Sequence, residues 1–502
     1  MNIMKSSPSN YEIRVLKSAI ASRFLLLALI LLWRSLLHPY DTSSPLNPKC
    51  LSSNSTTNHH YKDHQSIQFP QIASAIEDSI VWDSIYFVRI AECSYEYEQS
   101  YAFLPLLPIF MSLLSRTVFA PLVPLIGLRA VLALAGYVVN NIAFVLAALY
   151  LYRLSVTILR DPEAALRASI LFCFNPASVF YSSIYTESFY SLFSFGGLYH
   201  VLSGANNIAV LSFALSGCAR SNGVLNAGYF CFQTMHRVYH DVFVKRRASL
   251  AIQGIILGAL RVVCIFLPFI AFQAYGYRNI CHGRAPEEMK PWCKSKIPFF
   301  YSYVQSHYWG VGFLRYFQWK QLPNFLLASP ILSLALCSII HYVRLQPGIF
   351  FSLGFGALSS GKRSRDSFSS HSVSGPNKTR SKDLSTETQG NHNLRERKQT
   401  VKEDNYDVIH EEQQLFEKPD SFHIFIIPCI LHLGFMAATA FFVMHVQVAT
   451  RFLSASPPLY WFASYLMMSG GTSKRWAYMI WVYSAAYILL GSLLFSNFYP
   501  FT

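Results

Sequence analysis

The chain has 502 residues, of which 52% are hydrophobic and only 13% charged. Soluble domains carry roughly a quarter charged residues, yet mean hydropathy here is +0.29 despite one long polar stretch. A soluble enzyme, a disordered chain and a disulfide scaffold are excluded, and an all-α polytopic membrane protein is expected. The formal charge of +15 (41 Lys+Arg against 26 Asp+Glu) then reads as loop bias, because cytoplasmic loops collect basic residues. No basic stripe is interleaved with a base-reading motif, so nucleic acid is not an expected partner.

Arg14, Lys17 and Arg23 precede the apolar run at 24–37. No small-residue cleavage site follows, which predicts an uncleaved signal anchor with a cytoplasmic N-terminus. Residues 39–100 then form a luminal polar loop, whose sequon at Asn54 is accessible to glycosylation; the sequon at Asn377 is not.

Apolar segments follow at about 102–115, 117–128, 130–152, 164–181, 184–203, 206–219, 223–238 and 249–276. Beyond a second luminal loop, 277–320, come 323–344, 421–447, 457–471 and 476–496. Several fall short of the roughly 20 residues of a full crossing, so some must be broken or re-entrant and enclosed by protein. Placing Lys245–Arg247, Arg344, Lys362–Arg365 and Lys474–Arg475 on the N-terminal side satisfies the positive-inside rule. The expectation is 11–13 spans with a luminal C-terminus.

Residues 355–420 are polar and low in complexity: Lys362–Lys402 holds ten basic and four acidic residues, and Glu403–Asp420 one basic and seven acidic. Such a segment cannot bury enough apolar area to order itself. It is expected to be a disordered cytosolic insert dividing a transmembrane core at 1–354 from its continuation at 421–502.

Six of ten cysteines, at 173, 218, 231, 264, 337 and 429, lie in apolar stretches and read as small buried hydrophobes. Cys50, Cys93, Cys281 and Cys293 lie in polar loops. In an oxidising lumen these can pair, with Cys281–Cys293 the simplest local disulfide.

Five segments carry groups suited to chemistry. In 81–108, Trp82 and Asp83 precede Glu92 and Glu98, and the spacing of Asp83, Phe87 and Ile90 permits a short amphipathic helix on the membrane surface. Its carboxylate would sit where a lipid-linked head group must lie; a solvated acidic loop is the competing reading. In 175–199, Glu187 interrupts an apolar run, both a functional signal at membrane depth and a natural first-turn acid capped by Ser183 or Thr186. Arg220 and Asn222 lie between apolar pieces. Gln305, Trp309, Lys320 and Gln321 crowd the approach to another span, and His445, Gln447 and Arg451 follow a later one. Arg220 and Arg451 fall on the luminal side, against the basic bias, where anion binding explains them better than anchoring. No P-loop, GxGxxG, HExxH or GxSxG element is present, so soluble-nucleotide chemistry is unsupported.

WDSIYF, AFLPLLP, NPASVFY with YTES, RSNG, YSYVQ with YWGVGFLRYFQWKQLPNFLLASP, and HVQVATRFL with PPLYW together resemble the PIG-V family of mannosyltransferases, in its order. The resemblance covers most of 15–500 outside the insert. It implies a GT-C-type glycosyltransferase fold in the endoplasmic reticulum membrane, with the catalytic acid in the first luminal loop. It also implies transfer of the second mannose of a GPI-anchor precursor from dolichyl-phosphate mannose, in α-1,6 linkage. The partners so implied are that donor, a mannosylated GPI-lipid acceptor and a candidate small membrane subunit. Ser306 and His307 stand where relatives can carry an acid, and neither a metal nor another cofactor is expected. Asp83 is the expected base, with Trp82, Glu92, Glu98, Glu187 and the basic residues around the substrates. A transporter or lipid scramblase is the alternative reading.

Overall fold

The structure is a computed structural model describing residues 8–38, 40, 50–51, 67–282, 289–295, 299–355, 424–471, 473–499 and 501. Asn54, Asn377 and nearly all of the 355–420 insert lie outside the described residues. The chain divides into a unit of residues 1–342 with 428–502 and a smaller one of 343–427. Of the smaller unit the described part holds a helix end and the short helix Pro347–Phe351.

The larger unit is helical, and its helices in chain order are α1 (Pro8–Leu36), α2 (Pro70–Glu77), α3 (Ser84–Cys93), α4 (Leu106–Arg116), α5 (Val123–Ile126), α6 (Leu128–Leu159), α7 (Pro162–Cys173), α8 (Ser178–Ser182), α9 (Glu187–Leu202), α10 (Asn206–Ala219), α11 (Ala227–Tyr239), α12 (Ala248–Cys281), α13 (Phe300–Tyr308) and α14 (Leu322–Leu345). With Pro347–Phe351 as α15, the remainder are α16 (Ile426–Phe442), α17 (Ala449–Leu453), α18 (Pro457–Met468) and α19 (Ser473–Ser496). Among the described residues five helices are long and apolar enough to cross a membrane alone: α1, α6, α12, α14 with the turn before it, and α19.

The others are placed by their ends. Glu12 of α1 meets Arg153 of α6 at 2.9 Å, Arg167 of α7 donates to the Met467 carbonyl of α18, and the rings of His341 and Tyr465 lie 4.4 Å apart. The opposite ends of these helices meet around Asp83. The bent pair of α4 and α5 adds at most a sixth candidate span, fewer than the 11–13 expected, because apolar helices such as α10 and α16 are too short to count alone. The segment at 117–128 is not a span of its own. It bends back by 70° from α4, and Phe69 donates its N–H to the Leu125 carbonyl, returning the chain to the side it left.

Helices α9 and α10 have 16 and 14 residues, only about 24 and 21 Å at 1.5 Å per residue. Turns at 183–186 and 220–226 make up the deficit. Non-helical backbone at that depth is tolerated because protein walls surround it, and a cavity opens there. Gly223 permits the second turn: a Cβ on it would lie 2.3 Å from the Ser216 carbonyl. Alanines along α6, among them Ala130, Ala133, Ala143, Ala147 and Ala148, are buried and let neighbouring helices approach closely.

Three expectations are corrected. Helix α3 forms where expected but does not lie on the membrane surface: Ile85, Phe87, Val88, Ile90 and Ala91 are all buried. Ile85, Phe87, Val88 and Ala91 share one cluster with Leu107 of α4, Leu132 of α6 and Phe189 of α9. Arg23 does not flank the first span but is buried within α1. Cys231 and Cys337 are exposed rather than buried, which costs little on a face turned to lipid.

Candidate active site

A cavity of about 390 Å³ opens where α3, α9, α10, α13 and α17 end or begin, a volume in the range of small-molecule sites. Asp83 enters it from the residue before α3. Its N–H donates to the Tyr185 hydroxyl at 3.1 Å, and its carbonyl accepts from the N–H groups of Tyr86 and Phe87. Trp82 adopts φ +54°, a left-handed conformation costly for a bulky residue. It is held there by its indole N–H, which donates to the Phe495 carbonyl at 3.2 Å. That twist turns the chain so that Asp83 faces the cavity.

Four charged groups line its wall. Arg451 donates through Nη1 to Asp83 Oδ2 at 3.2 Å, and its Nε stands 3.3 Å from Glu187 Oε1. The guanidinium lies over the rings of Phe180 and Tyr185, 5.1 and 5.4 Å from their centroids. Arg220 closes the chain by pairing with the same Glu187 oxygen. Burial works against the Arg451 cation, but Glu187 and then Asp83 outweigh it and hold the guanidinium protonated more firmly than usual. Glu187 Oε2, in a side chain 3% exposed, is buried without a hydrogen-bond partner among the described residues. A buried carboxylate oxygen left bare is costly, and a ligand hydroxyl would satisfy it.

The rest of the wall is polar and aromatic: Gln305 and Trp309 from α13 and its end, Tyr301, Ser221, and His445 and Gln447 from the chain before α17. The Tyr316 hydroxyl donates to Gln447 at 2.9 Å and its ring stacks on His445 at 4.7 Å. Beside this cavity lies a second, about 420 Å³, lined by Asn324 and Leu327 of α14, Tyr487, Leu490 and Leu494 of α19, and Trp82, Gln447 and Phe501. The last three line both chambers. Leu327 and Leu490 are half exposed on two of the helices long and apolar enough to cross a membrane, while the first chamber holds the ionic groups.

The sequence profile described as Mannosyltransferase (PIG-V) matches residues 12–502. The chain belongs to the PIG-V mannosyltransferase family. It is similar to the GPI alpha-1,6-mannosyltransferase 2 of Homo sapiens, 31% identical over 420 residues that cover 77% of this chain and 72% of that one. The GPI mannosyltransferase 2 of Drosophila pseudoobscura pseudoobscura is 30% identical, over 84% of this chain and 86% of its own. The Rattus norvegicus GPI alpha-1,6-mannosyltransferase 2 is 29% identical, over 92% and 85%. No solved structure gives a significant match.

Of the residues expected in the site of this PIG-V family member, the cavity gathers Trp82, Asp83, Glu187, Arg220, Gln305, Trp309, His445, Gln447 and Arg451. Five others lie elsewhere. Glu92 is outside the cavity, its carboxyl raised by burial, which the charge of Arg129 only partly offsets. Glu98 accepts from the Trp292 indole at 2.9 Å and the Tyr308 hydroxyl at 2.8 Å, tying the segment of α13 to the chain before α4. Desolvation and that carboxylate push the Tyr308 hydroxyl up to about 12. Asn222 is buried with its amide 4.0 Å from Met436 sulfur. Lys320 is exposed, and Gln321 accepts from Asn324 at 2.8 Å, one contact short of the apolar chamber.

Sequence reading missed Tyr185, Tyr301, Phe180 and Phe501. Tyr185 stands within the YTES segment that pointed to Glu187; Phe501, about fifty positions beyond Arg451, carries no comparable mark. Cys281 is joined to Cys293, and Cys50 to Cys93.

Proposed function

We propose that this mannosyltransferase adds the second mannose of a GPI-anchor precursor, in α-1,6 linkage, using dolichyl-phosphate mannose at the luminal face of the endoplasmic reticulum membrane. The reading rests on one observation above all: two carboxylates and two guanidiniums line a polar cavity that shares a wall with a more apolar chamber. A donor with a charged phosphate and sugar on a long hydrocarbon chain matches both halves. The similarity to transferases named for the GPI substrate and the α-1,6 link supplies the acceptor and the bond.

The donor sugar is β-linked, so an α product requires inversion by one displacement. The acceptor 6-hydroxyl oxygen attacks the anomeric carbon as its proton passes to Asp83. The bond from that carbon to the phosphate oxygen breaks, and dolichyl phosphate leaves with the electron pair. A positioned base is worth roughly 10²–10⁴-fold. The leaving phosphate monoester needs no proton, only positive charge close by to meet the charge it gains, and Arg451 and Arg220 supply it. Arg451 then has two duties. While paired with Asp83 it holds that carboxylate in place by a hydrogen bond; drawn toward the incoming phosphate it frees the carboxylate when the donor is in place. The bare Oε2 of Glu187 takes a mannose hydroxyl, and Trp82 or Trp309 offers an apolar face to the sugar ring.

The purified chain in lipid, given radiolabelled dolichyl-phosphate mannose and a monomannosylated GPI lipid, should yield a dimannosylated product with an α-1,6 bond. Transfer without any co-purified protein would also show that a small membrane subunit is dispensable. No product from a folded preparation, or a product of other linkage, would overturn the reading; flipping of lipids without transfer would favour a scramblase.

A further inference from the structure

The first helix carries an arginine where a membrane helix can least accommodate one. Arg23 is 4% exposed, and among the described residues it forms no ion pair with a carboxylate. Its guanidinium instead covers the break between α7 and α8. Nη2 donates to the carbonyl of Cys173, the last residue of α7, at 3.2 Å and to the Ser178 hydroxyl at 3.2 Å. Nη1 donates to the Ser178 carbonyl at 3.1 Å and the Ser182 hydroxyl at 3.0 Å. The plane lies 3.7 Å over the Phe144 ring of α6.

The break has a local cause. Pro176 lacks an N–H and cannot continue α7. Asn175 folds the chain by donating to the Phe172 carbonyl and accepting from the Ala177 N–H. The Cys173 carbonyl, which accepts from Arg23, lies at the negative end of the α7 dipole, where a cation is favoured, and the ring face adds a second attraction. The charge is thus balanced by backbone and ring instead of an acid. Lysine cannot replace that fork, having one nitrogen where four acceptors are spread over two helices.

What the break positions lies immediately downstream. Helix α8 bears Phe180, which underlies Arg451. After it come Tyr185, whose hydroxyl receives the Asp83 N–H, and Glu187, which pairs with Arg220 and Arg451. Asn140 and Asn141 of α6 brace the same segment through the carbonyls of Ser183 and Ser182. We propose that Arg23 is a positioning residue for transfer: it locks α8 against α7 so that Phe180, Tyr185 and Glu187 stand in register with Arg451 and Asp83. The proposal rests on the catalytic reading of that cavity, and the experiment keeps the two separable.

Arg23→Lys and Arg23→Gln are compared with wild type in lipid for kcat, KM, the pH dependence of kcat, and amide hydrogen exchange. Expected for Lys is a fall in kcat of roughly 10- to 100-fold, the scale of a small misplacement. KM stays within about twofold, the acid limb of the pH profile moves, and exchange is faster at 178–187 but unchanged along α12. Gln should be worse than Lys. Wild-type kcat and pH profile in Arg23→Lys, or exchange unchanged at 178–187, would overturn the proposal. If neither variant folds, Ser178→Ala with Ser182→Ala removes two acceptors and leaves the arginine. A kcat-selective loss in that variant supports the brace, and wild-type kinetics with wild-type exchange refutes it. If wild-type protein transfers no mannose at all, the catalytic reading fails, and the exchange data alone decide whether Arg23 locks the break.

Discussion

Arg451 and Asp83, 368 positions apart in sequence, are joined by a hydrogen bond of 3.2 Å across the floor of the cavity. The bond binds the segment before α3 to the chain leading into α18. Its meaning depends on what else Arg451 touches: Glu187 competes for the same guanidinium, so neither acid monopolises it. Asp83 is 37% exposed on its side chain, against 3% for Glu187. The accessible acid is suited to proton transfer and the buried one to holding arginines.

Asp83→Asn follows from that division. The amide keeps an oxygen for Arg451, so folding and insertion should match wild type while kcat falls by roughly 10²–10⁴-fold. Single-turnover transfer with purified protein measures it; activity within a few-fold of wild type would remove Asp83 as the base.

Arg451→Gln leaves Glu187 with Arg220 alone and Asp83 with no cation. Breaking a largely buried pair costs about 3 kcal/mol, so thermal stability should drop, and donor KM should rise. Combining it with Asp83→Asn should cost less than the sum of the two singles, because they share one interaction. Additive losses in a double-mutant cycle would show that the pair is not coupled.

Glu98→Ala tests the segment around α13. It strips the acceptor from Trp292 and Tyr308, and bonds to charged groups contribute about 1.5–3 kcal/mol each. Tyr308 ends α13, beside Trp309. Acceptor KM should therefore rise more than kcat falls. Cleavage of Cys281–Cys293 should loosen the same segment, lowering stability by about 2–4 kcal/mol. Denaturation under oxidising and reducing conditions reads the second effect, and steady-state kinetics the first.

Glu92 gives a dependence on pH. Burial raises its carboxyl above the ordinary value of 4.5, and Arg129 offsets this only in part; Glu77 is shifted the same way, again by burial first. The folded state therefore holds these protons more tightly than the unfolded one. The contribution is complete below about 4.5 and is lost as pH rises through the raised folded values. Glu92→Gln should be more stable than wild type near neutral pH and should flatten the decline between acid and neutral pH. Equal slopes of melting temperature against pH in the two proteins would contradict this.

Much of the fold was legible because hydropathy is a local property. Runs such as 130–152 and 249–276 announce α6 and α12 without reference to any other part of the chain. Glu187 stood out for a related reason: a charge at membrane depth is expensive wherever its helix goes, so its presence alone is information; Arg220 and Arg451 stood out against the expected bias of basic residues, and Asp83 through its motif. Glu92 and Glu98 share a loop with Asp83, and nothing in their spacing separates a group lining the cavity from an anchor for Trp292.

The sequence by itself determined that this chain is a multi-pass membrane protein and which of its charges interrupt apolar runs. Only the tertiary structure decided which of them meet. Arg451 finds Asp83 because the ends of separate helices converge, and Arg23 rests in the bundle on backbone carbonyls, which every residue possesses. Helix formation is fixed by neighbours a few positions away, whereas partnership between helix ends depends on packing across hundreds of positions, and no local pattern encodes it.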